Sequence, residues 1–272
     1  MSLLEFKEVT LLAPLGEGLD RLGTLGLLEE GLMTSTSKVS ATTIMSEPTS
    51  DAALRKTLLE DLCTAVVGDV LDHMGYHHQF LPQGIAPLQS QQKIVGRAMT
   101  VLQEDRPEPT NKPDDKPFGR LFEALDDLKE GEVYIATGAG TVSHYALFGG
   151  LMSTRADHLK AAGAVLDGYV RDASEIEELT GFPIFSRGLY AQDQGARGKC
   201  TQWRCPITIG KVKINSGDMV FGDREGVLII PRDVEEEAVR RAVEKATTEN
   251  AVEKAIRSGM GACEAFEKFG VF

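Results

Sequence analysis

The sequence predicts an α/β domain with a mixed central sheet, preceded by an N-terminal extension. Helix and strand patterns alternate through the middle of the chain, and consecutive short strand patterns fill its last third. With 42% hydrophobic residues, the 272-residue chain can bury a sizeable core. Residues 1–48 differ from the rest, because a Leu- and Gly-rich stretch is followed there by a Ser/Thr-rich stretch typical of a linker. We therefore expect an extension over 1–48 and one domain over 49–272.

The first half of the domain shows clear helix starts and one long apolar run. A helix is predicted near 51–63, with Ser50 or Asp51 as its N-cap, and a shorter helix carries VVGDVLDHMG. The run QKIVGRAMTVLQ predicts a strand, whereas the proline-rich and charged segment 104–119 predicts a loop. A helix that stops at Gly131 and the strand GEVYIATGAG follow.

The middle of the domain alternates helix and strand. The segment GGLMSTRADHLKAAG predicts a helix that stops at Gly163, and GAVLDGYVRD predicts a single strand that ends at Arg171 and Asp172. SEIEELTG predicts a short helix with Ser174 as its N-cap and Glu177 as the partner in a capping box. FPIFSRGLY then predicts one further strand.

The last third predicts consecutive short strands and a helical end. Turns at Asn215–Asp218 and Asp223–Gly226 divide CPITIGKVKINSGDMVFGDREGVLIIP into strands. An amphipathic helix is predicted over 232–258, and GMGACEAFEKFG predicts a short final one.

Composition and charge exclude several classes of partner. A formal net charge of −12 disfavours binding to nucleic acid phosphates. The four cysteines form no C-x-x-C pair, which disfavours a zinc site and favours reduced thiols. No segment is long and apolar enough to span a bilayer, and the N-terminus lacks the pattern of a secretory signal. We expect a cytoplasmic protein with no nucleic acid or membrane partner.

Two strand ends carry residues suited to a small anionic ligand. In open α/β sheets, ligands bind beyond the carboxyl ends of the strands. The strand that ends near Gly138 leads to Gly149 and Gly150 at the start of a helix, whose free N–H groups and dipole suit a carboxylate. The next strand ends at Arg171, which can clamp a carboxylate, and Asp172, which can hold one face of Mg²⁺. The combination suits a 2-oxo acid. The alternative is a structural ion pair that caps the next helix.

The same residues carry a resemblance to a known family. FGGLMSTRADHLKAAGAVLDGYVRD resembles the G-x20-R-D signature of the RraA-like family. The segments GDVLDHMG, IVGRAMTV, FPIFSRG, GDREGVLIIP and ENAVEKAIRSGM fit in order, over roughly residues 55–260. The family includes class II 4-hydroxy-4-methyl-2-oxoglutarate aldolases, related oxaloacetate decarboxylases, and regulators of ribonuclease E.

The resemblance implies a fold, an assembly and a set of site residues. It implies an α/β/α swivelling-type domain in homotrimers or hexamers with sites at subunit interfaces, and a pyruvate-type substrate bound with Mg²⁺ or Mn²⁺. Arg171 matches the residue that binds the substrate carboxylate and the enolate, and Asp172 matches the metal ligand. The backbone amides of Leu151 and Met152 match those that receive the carboxylate. Glu249 is matched to an acidic residue that reaches the metal's waters from a neighbouring subunit.

One position departs from the aldolases of this family. Their residue before the Leu-Met pair is usually acidic and holds a catalytic water, whereas this chain has Gly150. A retro-aldol cleavage needs a base for the substrate hydroxyl, while decarboxylation of oxaloacetate needs only stabilisation of the enolate. His144 and Asp193 are candidates for the missing base, and Asp193 lies in a polar loop with Gln192 and Arg197. An ordinary loop histidine and a solvated loop are the alternatives.

The expected function is therefore a metal-dependent lyase. Such an enzyme would cleave a C–C bond of a 2-oxo acid, by retro-aldol reaction or by decarboxylation, and release pyruvate or an analogue. A non-catalytic regulator of the ribonuclease-binding kind is the alternative, and Gly150 is its best support. A third hypothesis is an enzyme that acts on a sugar-derived oxo acid in the same site.

Overall fold

The structure is a computed structural model that describes residues 50–106, 108, 116–138, 144–179 and 181–271. The predicted extension over 1–48 and part of the predicted loop over 104–119 lie outside these residues. The first helix begins as the sequence predicts, because Ser50 Oγ accepts a hydrogen bond from the N–H of Ala53 at 3.2 Å. The helices are α1 (Asp51–Asp61), α2 (Thr64–His73), α3 (Leu121–Asp126), α4 (Gly150–His158), α5 (Ala173–Glu177), α6 (Glu235–Arg257) and α7 (Ala262–Phe269).

The strands are short apart from one that crosses the whole domain. They are β1 (Ala86–Pro87), β2 (Ile94–Asp105), β3 (Glu132–Gly138), β4 (Ala146–Phe148), β5 (Gly163–Leu166), β6 (Tyr169–Val170), β7 (Ile184–Ser186), β8 (Gly188–Leu189), β9 (Gly198–Trp203), β10 (Ile207–Ile209), β11 (Val212–Ile214), β12 (Met219–Asp223) and β13 (Gly226–Ile230).

The main sheet is mixed, which confirms the predicted fold class. Its strands follow the order β1-β7-β5-β3-β2-β12-β13, and β9 pairs with β2 beyond the end of β12. Neighbouring strands from β7 to β2 run parallel, whereas β1, β9, β12 and β13 pair antiparallel. The parallel part carries the alternating helices, and the antiparallel part comes from the β-rich last third.

Alternation along the strands gives the main sheet two buried faces. Tyr134 and Ala136 of β3 face a core shared with α3 and α4, whereas Val133 and Ile135 face the hairpin formed by β10 and β11. The antiparallel end of the sheet is covered by α1, α2 and α6, whose apolar side chains pack on β12 and β13.

A second sheet of three parallel strands, β4-β6-β8, lies beside the main one. The prediction of a single strand over GAVLDGYVRD is therefore wrong, because the chain leaves the main sheet after Leu166 and joins the small sheet at Tyr169. FPIFSRGLY divides in the same way between Ser186 and Gly188. An ion pair joins the two positions at which the chain passes from the main sheet to the small one, because Arg187 Nε donates a hydrogen bond to Asp167 Oδ1 at 2.7 Å.

Three helix boundaries also differ from the predictions. The helix α3 ends at Asp126, well before Gly131, where the sequence predicts its stop. The helix α4 ends at His158, before Gly163, because Lys160 takes a left-handed conformation with φ 58°. The short helix α5 is not capped by Ser174. The N-cap position is held by Asp172, with φ 60° and ψ 40°. Its carboxylate accepts no capping hydrogen bond from the N–H groups of α5.

Candidate active site

The three strands of the small sheet end side by side, and each end delivers candidate site residues. β4 leads into Gly149 and α4, β6 leads into Arg171, and β8 leads towards Asp193. Backbone hydrogen bonds fix this arrangement, because the N–H of Arg171 donates to Phe148 O at 3.1 Å and the N–H of Tyr190 donates to Val170 O at 3.0 Å. The carboxyl ends of parallel strands thus form one site, although in the small sheet and not in the main one.

The start of α4 is held by Asp172. Asp172 Oδ2 accepts a hydrogen bond from the N–H of Gly150 at 3.0 Å. The next two N–H groups, of Leu151 and Met152, lie in the first turn and have no partner within the helix. They remain able to bind an anion, in an environment that the helix dipole makes favourable.

Gly149 allows the two charged side chains to approach this turn. A Cβ atom at Gly149 would lie 2.8 Å from Asp172 Oδ2 and 3.0 Å from Arg171 Cγ. Any larger residue at this position would therefore displace Arg171 and Asp172 from the start of α4.

Arg171 lies between two carboxylates. Its Nε atom is 3.5 Å from Asp172 Oδ2, and its Nη1 atom is 3.2 Å from Asp193 Oδ1. About a third of the Arg171 side chain is exposed, so the guanidinium is oriented by these partners and still accessible to a ligand. The structure thus brings Arg171, Asp172 and Asp193 together, as the hypothesis requires.

Glu175, which the sequence analysis did not single out, also belongs to this cluster. A Cβ atom added at Gly150 would overlap the carboxylate of Glu175 and lie 3.2 Å from Asp172 Cβ. The Glu175 carboxylate therefore occupies the space that a side chain at position 150 would take. Its spacing gives a usable signal, because Glu175 lies one helical turn after Asp172 and so returns to the same side of α5.

A cavity of about 240 Å³ opens beside these charged groups. Arg171, Asp172 and Asp193 line one part, and apolar side chains line the rest. Gln194 also lines the cavity. Its side chain is almost fully buried, and its Nε2 donates a hydrogen bond to Gln103 Oε1. The apolar lining consists of Phe118, Leu121, Phe122, Ala146, Leu147, Phe148, Leu151 and Met152.

Three predicted site residues do not line this cavity, although Gly150 contacts the cluster through its hydrogen bond to Asp172. His144 lines a neighbouring recess with Asp105, Tyr145 and Arg197. Glu249 lies on α6 beside Lys245, whose Nζ atom contacts it and is also 3.1 Å from Asp69 Oδ2. Within one chain, neither His144 nor Glu249 reaches the Arg171 cluster, and the role matched to Glu249 would require a neighbouring subunit.

The donor set at this cluster suits Mg²⁺ or Mn²⁺. Within the described residues, no group of three or more His, Cys, Asp or Glu side chains is arranged to hold a metal by itself. Asp172 and Glu175 nevertheless bring two carboxylates to the same turn of α4. One or two carboxylates, completed by waters or substrate oxygens, are the usual protein contribution to a Mg²⁺ site.

A comparison with protein families gives a match over most of the domain. The RraA-like family model, described as Aldolase/RraA, matches residues 64–229.

Among the described residues, no helix combines the length and the apolar character needed to cross a membrane.

Individual relatives are similar at about 30% identity. Protein DlpA of Legionella pneumophila is 30% identical over 206 residues, which are 76% of this chain and 32% of DlpA, so the chain spans about a third of that relative. A protein of Halalkalibacterium halodurans, named "Putative 4-hydroxy-4-methyl-2-oxoglutarate aldolase", is 29% identical over 77% of this chain and 92% of its own length. The crystal structure of an uncharacterised protein from Pseudomonas syringae has a TM-score of 0.70, with 27% identity over 84% of this chain and 99% of that one.

Proposed function

The chain belongs to the RraA-like family, and from that premise we propose that it is a divalent-metal-dependent lyase that cleaves a C–C bond of a 2-oxo acid. The observation that carries the proposal is the convergence of Arg171, Asp172 and the free N–H groups of α4 at one end of the small sheet. These groups suit the carboxylate and the keto oxygen of one small substrate.

Substrate binding is assigned to Arg171 and to the first turn of α4. The N–H groups of Leu151 and Met152 would receive the substrate carboxylate, with Gly149 and Gly150 giving the backbone room to approach it. Arg171 would clamp the same carboxylate and approach the oxygen that becomes negatively charged. Both contacts orient the scissile bond before reaction.

A divalent cation, Mg²⁺ or Mn²⁺, is assigned to Asp172 and Glu175. When bound, it would supply positive charge beside the keto oxygen of the substrate. Asp172 Oδ2 also accepts the hydrogen bond of the Gly150 N–H, so this carboxylate is oriented towards the substrate site.

Bond cleavage then follows one of two routes. In oxaloacetate, the C3–C4 bond breaks and the C4 carboxylate leaves as CO₂. A proton then adds to C3 of the enolate and gives pyruvate. In a 4-hydroxy-2-oxo acid, Asp193 would accept the hydroxyl proton, since it lines the cavity and is held by Arg171 at 3.2 Å. The C3–C4 bond then breaks to an enolate and a carbonyl product, and protonation at C3 again gives pyruvate.

A non-catalytic regulator of the kind found in the same family is the second candidate. Gly150 favours it, because the acidic residue usual in the aldolases is missing at that position. The carboxylate of Glu175 fills the space beside Gly150, however, and so keeps an acidic group at the same turn. A regulator that binds only another protein has no need of this arrangement.

The proposal is tested by the release of pyruvate from oxaloacetate, with Mg²⁺, with Mn²⁺ and with EDTA, after subtraction of the metal-catalysed background. We expect release that requires the metal and falls at least about 100-fold in Asp172→Asn. Asp126→Asn is the matched control, because Asp126 also pairs with an arginine, Arg155 Nε at 2.9 Å, on the surface. Metal-independent release, or full activity in Asp172→Asn, would overturn the assignment.

A further inference from the structure

The cavity beside Arg171 has two chemically different parts. Its charged part contains the groups assigned above to the 2-oxo acid. Its other part is an apolar wall formed by Phe118, Leu121, Phe122, Leu151 and Met152. The backbone of Leu151 and Met152 belongs to the first part and their side chains to the second, so the wall begins beside the proposed carboxylate site.

Two side chains of the wall are exposed within this chain. Leu151 is 85% exposed and Phe122 is 58% exposed. The rings of Phe118 and Phe122 lie 5.4 Å apart at an angle of 59°, a tilted arrangement that presents aromatic surface to a ligand. Exposed aromatic groups beside a polar cluster are typical of a binding site in which the polar groups orient the ligand.

The charges around the cavity disfavour a second carboxylate on the substrate. Among the described residues that line it, Arg171 is the one cation, while Asp172 and Asp193 are both acidic. Two arginines nearby are directed elsewhere. Arg120 lies 4.3 Å from the centre of the Trp203 ring, and Arg197 Nη1 donates to the backbone oxygen of Asp193 at 3.2 Å. Among the groups that this chain supplies, a distal carboxylate would thus lose water against aromatic rings without gaining a cationic partner.

We infer that the preferred substrate is a 2-oxo acid whose distal group is apolar, aryl or alkyl, and carries no second carboxylate. The inference rests on the proposed function and specifies the substrate class of the same site. For a 4-hydroxy-2-oxo acid of this kind, cleavage of the C3–C4 bond transfers the hydroxyl proton to a base and returns a proton to C3. The products are pyruvate and an apolar aldehyde or ketone.

The test compares the binding of two ligands that share the head group and differ at the distal end. With Mg²⁺ present, calorimetric titration gives dissociation constants for 2-oxo-4-phenylbutanoate and for 2-oxoglutarate, and pyruvate serves as the head group alone. We expect the phenyl ligand to bind at least about tenfold more tightly than 2-oxoglutarate. Equal affinity, or tighter binding of 2-oxoglutarate, would overturn the inference.

Variants of Phe122 connect this preference to the wall. Phe122→Ala should reduce the ratio of the two affinities about tenfold, and Phe122→Arg should reverse it by giving the distal carboxylate a partner. Phe80→Ala is the matched control, because Phe80 is also an exposed phenylalanine, at 47%, and lines a different recess beside His77 and Pro82. An affinity ratio that stays constant in both Phe122 variants would contradict the inference. The same holds if the variants change the oligomeric mass of the protein but leave this ratio unchanged.

The pyruvate titration separates the two levels of failure. If pyruvate binds but the phenyl ligand gains nothing over it, the apolar specificity is wrong and the head-group site stands. If neither pyruvate nor the longer ligands bind in the presence of Mg²⁺ or Mn²⁺, the proposed function fails, and the specificity inference fails with it.

Discussion

At the scale of single residues, Asp172 connects the local backbone to the proposed chemistry. It is a non-glycine residue in the left-handed region, a conformation that L-residues other than asparagine and aspartate rarely adopt. This conformation turns the carboxylate away from its own helix α5, so that it accepts the hydrogen bond of Gly150 on α4. The residue with this uncommon backbone conformation is therefore also the proposed metal ligand.

Gly150 provides a test of the crowding around this carboxylate. Gly150→Ala should lower kcat/KM about 100-fold, because the added methyl group would displace Glu175 and press on Asp172 Cβ. Stability should change little, since Gly150 is in a helix and its φ is not positive. Gly261→Ala is the control, because a Cβ atom there meets nothing within 4 Å. Steady-state kinetics and thermal unfolding check both variants, and unchanged kinetics in Gly150→Ala would show that Glu175 has no part in the reaction.

The sequence predicted most of the charged cluster but not its full membership. Arg171, Asp172 and the glycine pair could be found because a strand end followed by a helix start has a recognisable pattern. Glu175 was missed although it lies one helical turn after Asp172, because the contact of its carboxylate with Gly150 arises from packing between α4 and α5. His144, the other candidate for the missing base, lines a different recess in the structure.

At the scale of secondary structure, the sheet that carries the site could not be predicted. The strands β6 and β8 each contain two residues and continue the apolar runs of β5 and β7, so periodicity joins each pair into one strand. The crossings at Asp167 and Arg187 are fixed by an ion pair between residues 20 positions apart, a contact that local patterns do not contain. Long, strongly patterned elements such as β2 and α6 were predicted, although β2 extends to Asp105, into the predicted loop over 104–119.

A buried aspartate connects two elements at the opposite end of the domain. The sequence assigned Asp223 to a tight turn, and it does accept the N–H of Glu225 at 2.9 Å. It also caps α2, accepting the N–H of Thr64 at 2.8 Å and the hydroxyl of Thr64 at 2.9 Å. Asp223→Ala should lower the free energy of unfolding by about 2 kcal/mol, because it leaves these donors unpaired. Urea denaturation measures the change, and a loss below about 0.5 kcal/mol would contradict the capping role.

An ion pair between α1 and β2 gives the domain a specific pH dependence. Arg97 Nε donates to Asp51 Oδ2 at 2.9 Å, and this hydrogen bond lowers the pKa of Asp51 below its ordinary value of 3.8. Because the folded-state pKa is the lower one, the pair stabilises the fold above the ordinary pKa, and the contribution disappears as the pH falls through the folded value.

The corresponding variant is Asp51→Asn. It should lower the free energy of unfolding by about 0.5 kcal/mol near neutral pH, a small effect because the Asp51 side chain is 57% exposed and screened by solvent. The difference from the wild type should shrink as the pH falls below the ordinary pKa of 3.8 and vanish below the folded-state pKa. Urea denaturation over the acidic pH range measures this difference. Glu60→Gln is the control for loss of an exposed carboxylate near a lysine, because Glu60 Oε2 lies 3.9 Å from Lys56 Nζ. A difference that does not shrink as the pH falls below 3.8 would exclude the ionic explanation.

At the scale of the whole molecule, we propose an assembly of three or six chains with sites shared between subunits. Exposed apolar side chains on the C-terminal helices support it, since Ile256 is 39% exposed and Phe266 is 58% exposed. Glu249 lines a recess on the same helix, α6, and is available to a neighbouring chain.

Mixed oligomers test this sharing. Asp172→Asn and Glu249→Ala should each inactivate the homo-oligomer, the second by removing the carboxylate that a neighbour would supply. Co-expression of the two variants should restore part of the pyruvate release, because some interfaces then combine an intact Asp172 with an intact Glu249. Native mass spectrometry confirms that mixed species form. Mixed oligomers without recovered activity, or an active monomer, would contradict a shared site.

The central claim, that one site binds a 2-oxo acid together with a divalent cation, is tested most directly by calorimetric titration of oxalate. Oxalate resembles the planar enolate of pyruvate, so a site built for that intermediate should bind it more tightly than pyruvate. We predict binding that requires Mg²⁺ or Mn²⁺ and is lost in Asp172→Asn, while circular dichroism shows the variant folded. Oxalate binding of equal strength in EDTA, or in Asp172→Asn, would contradict the account.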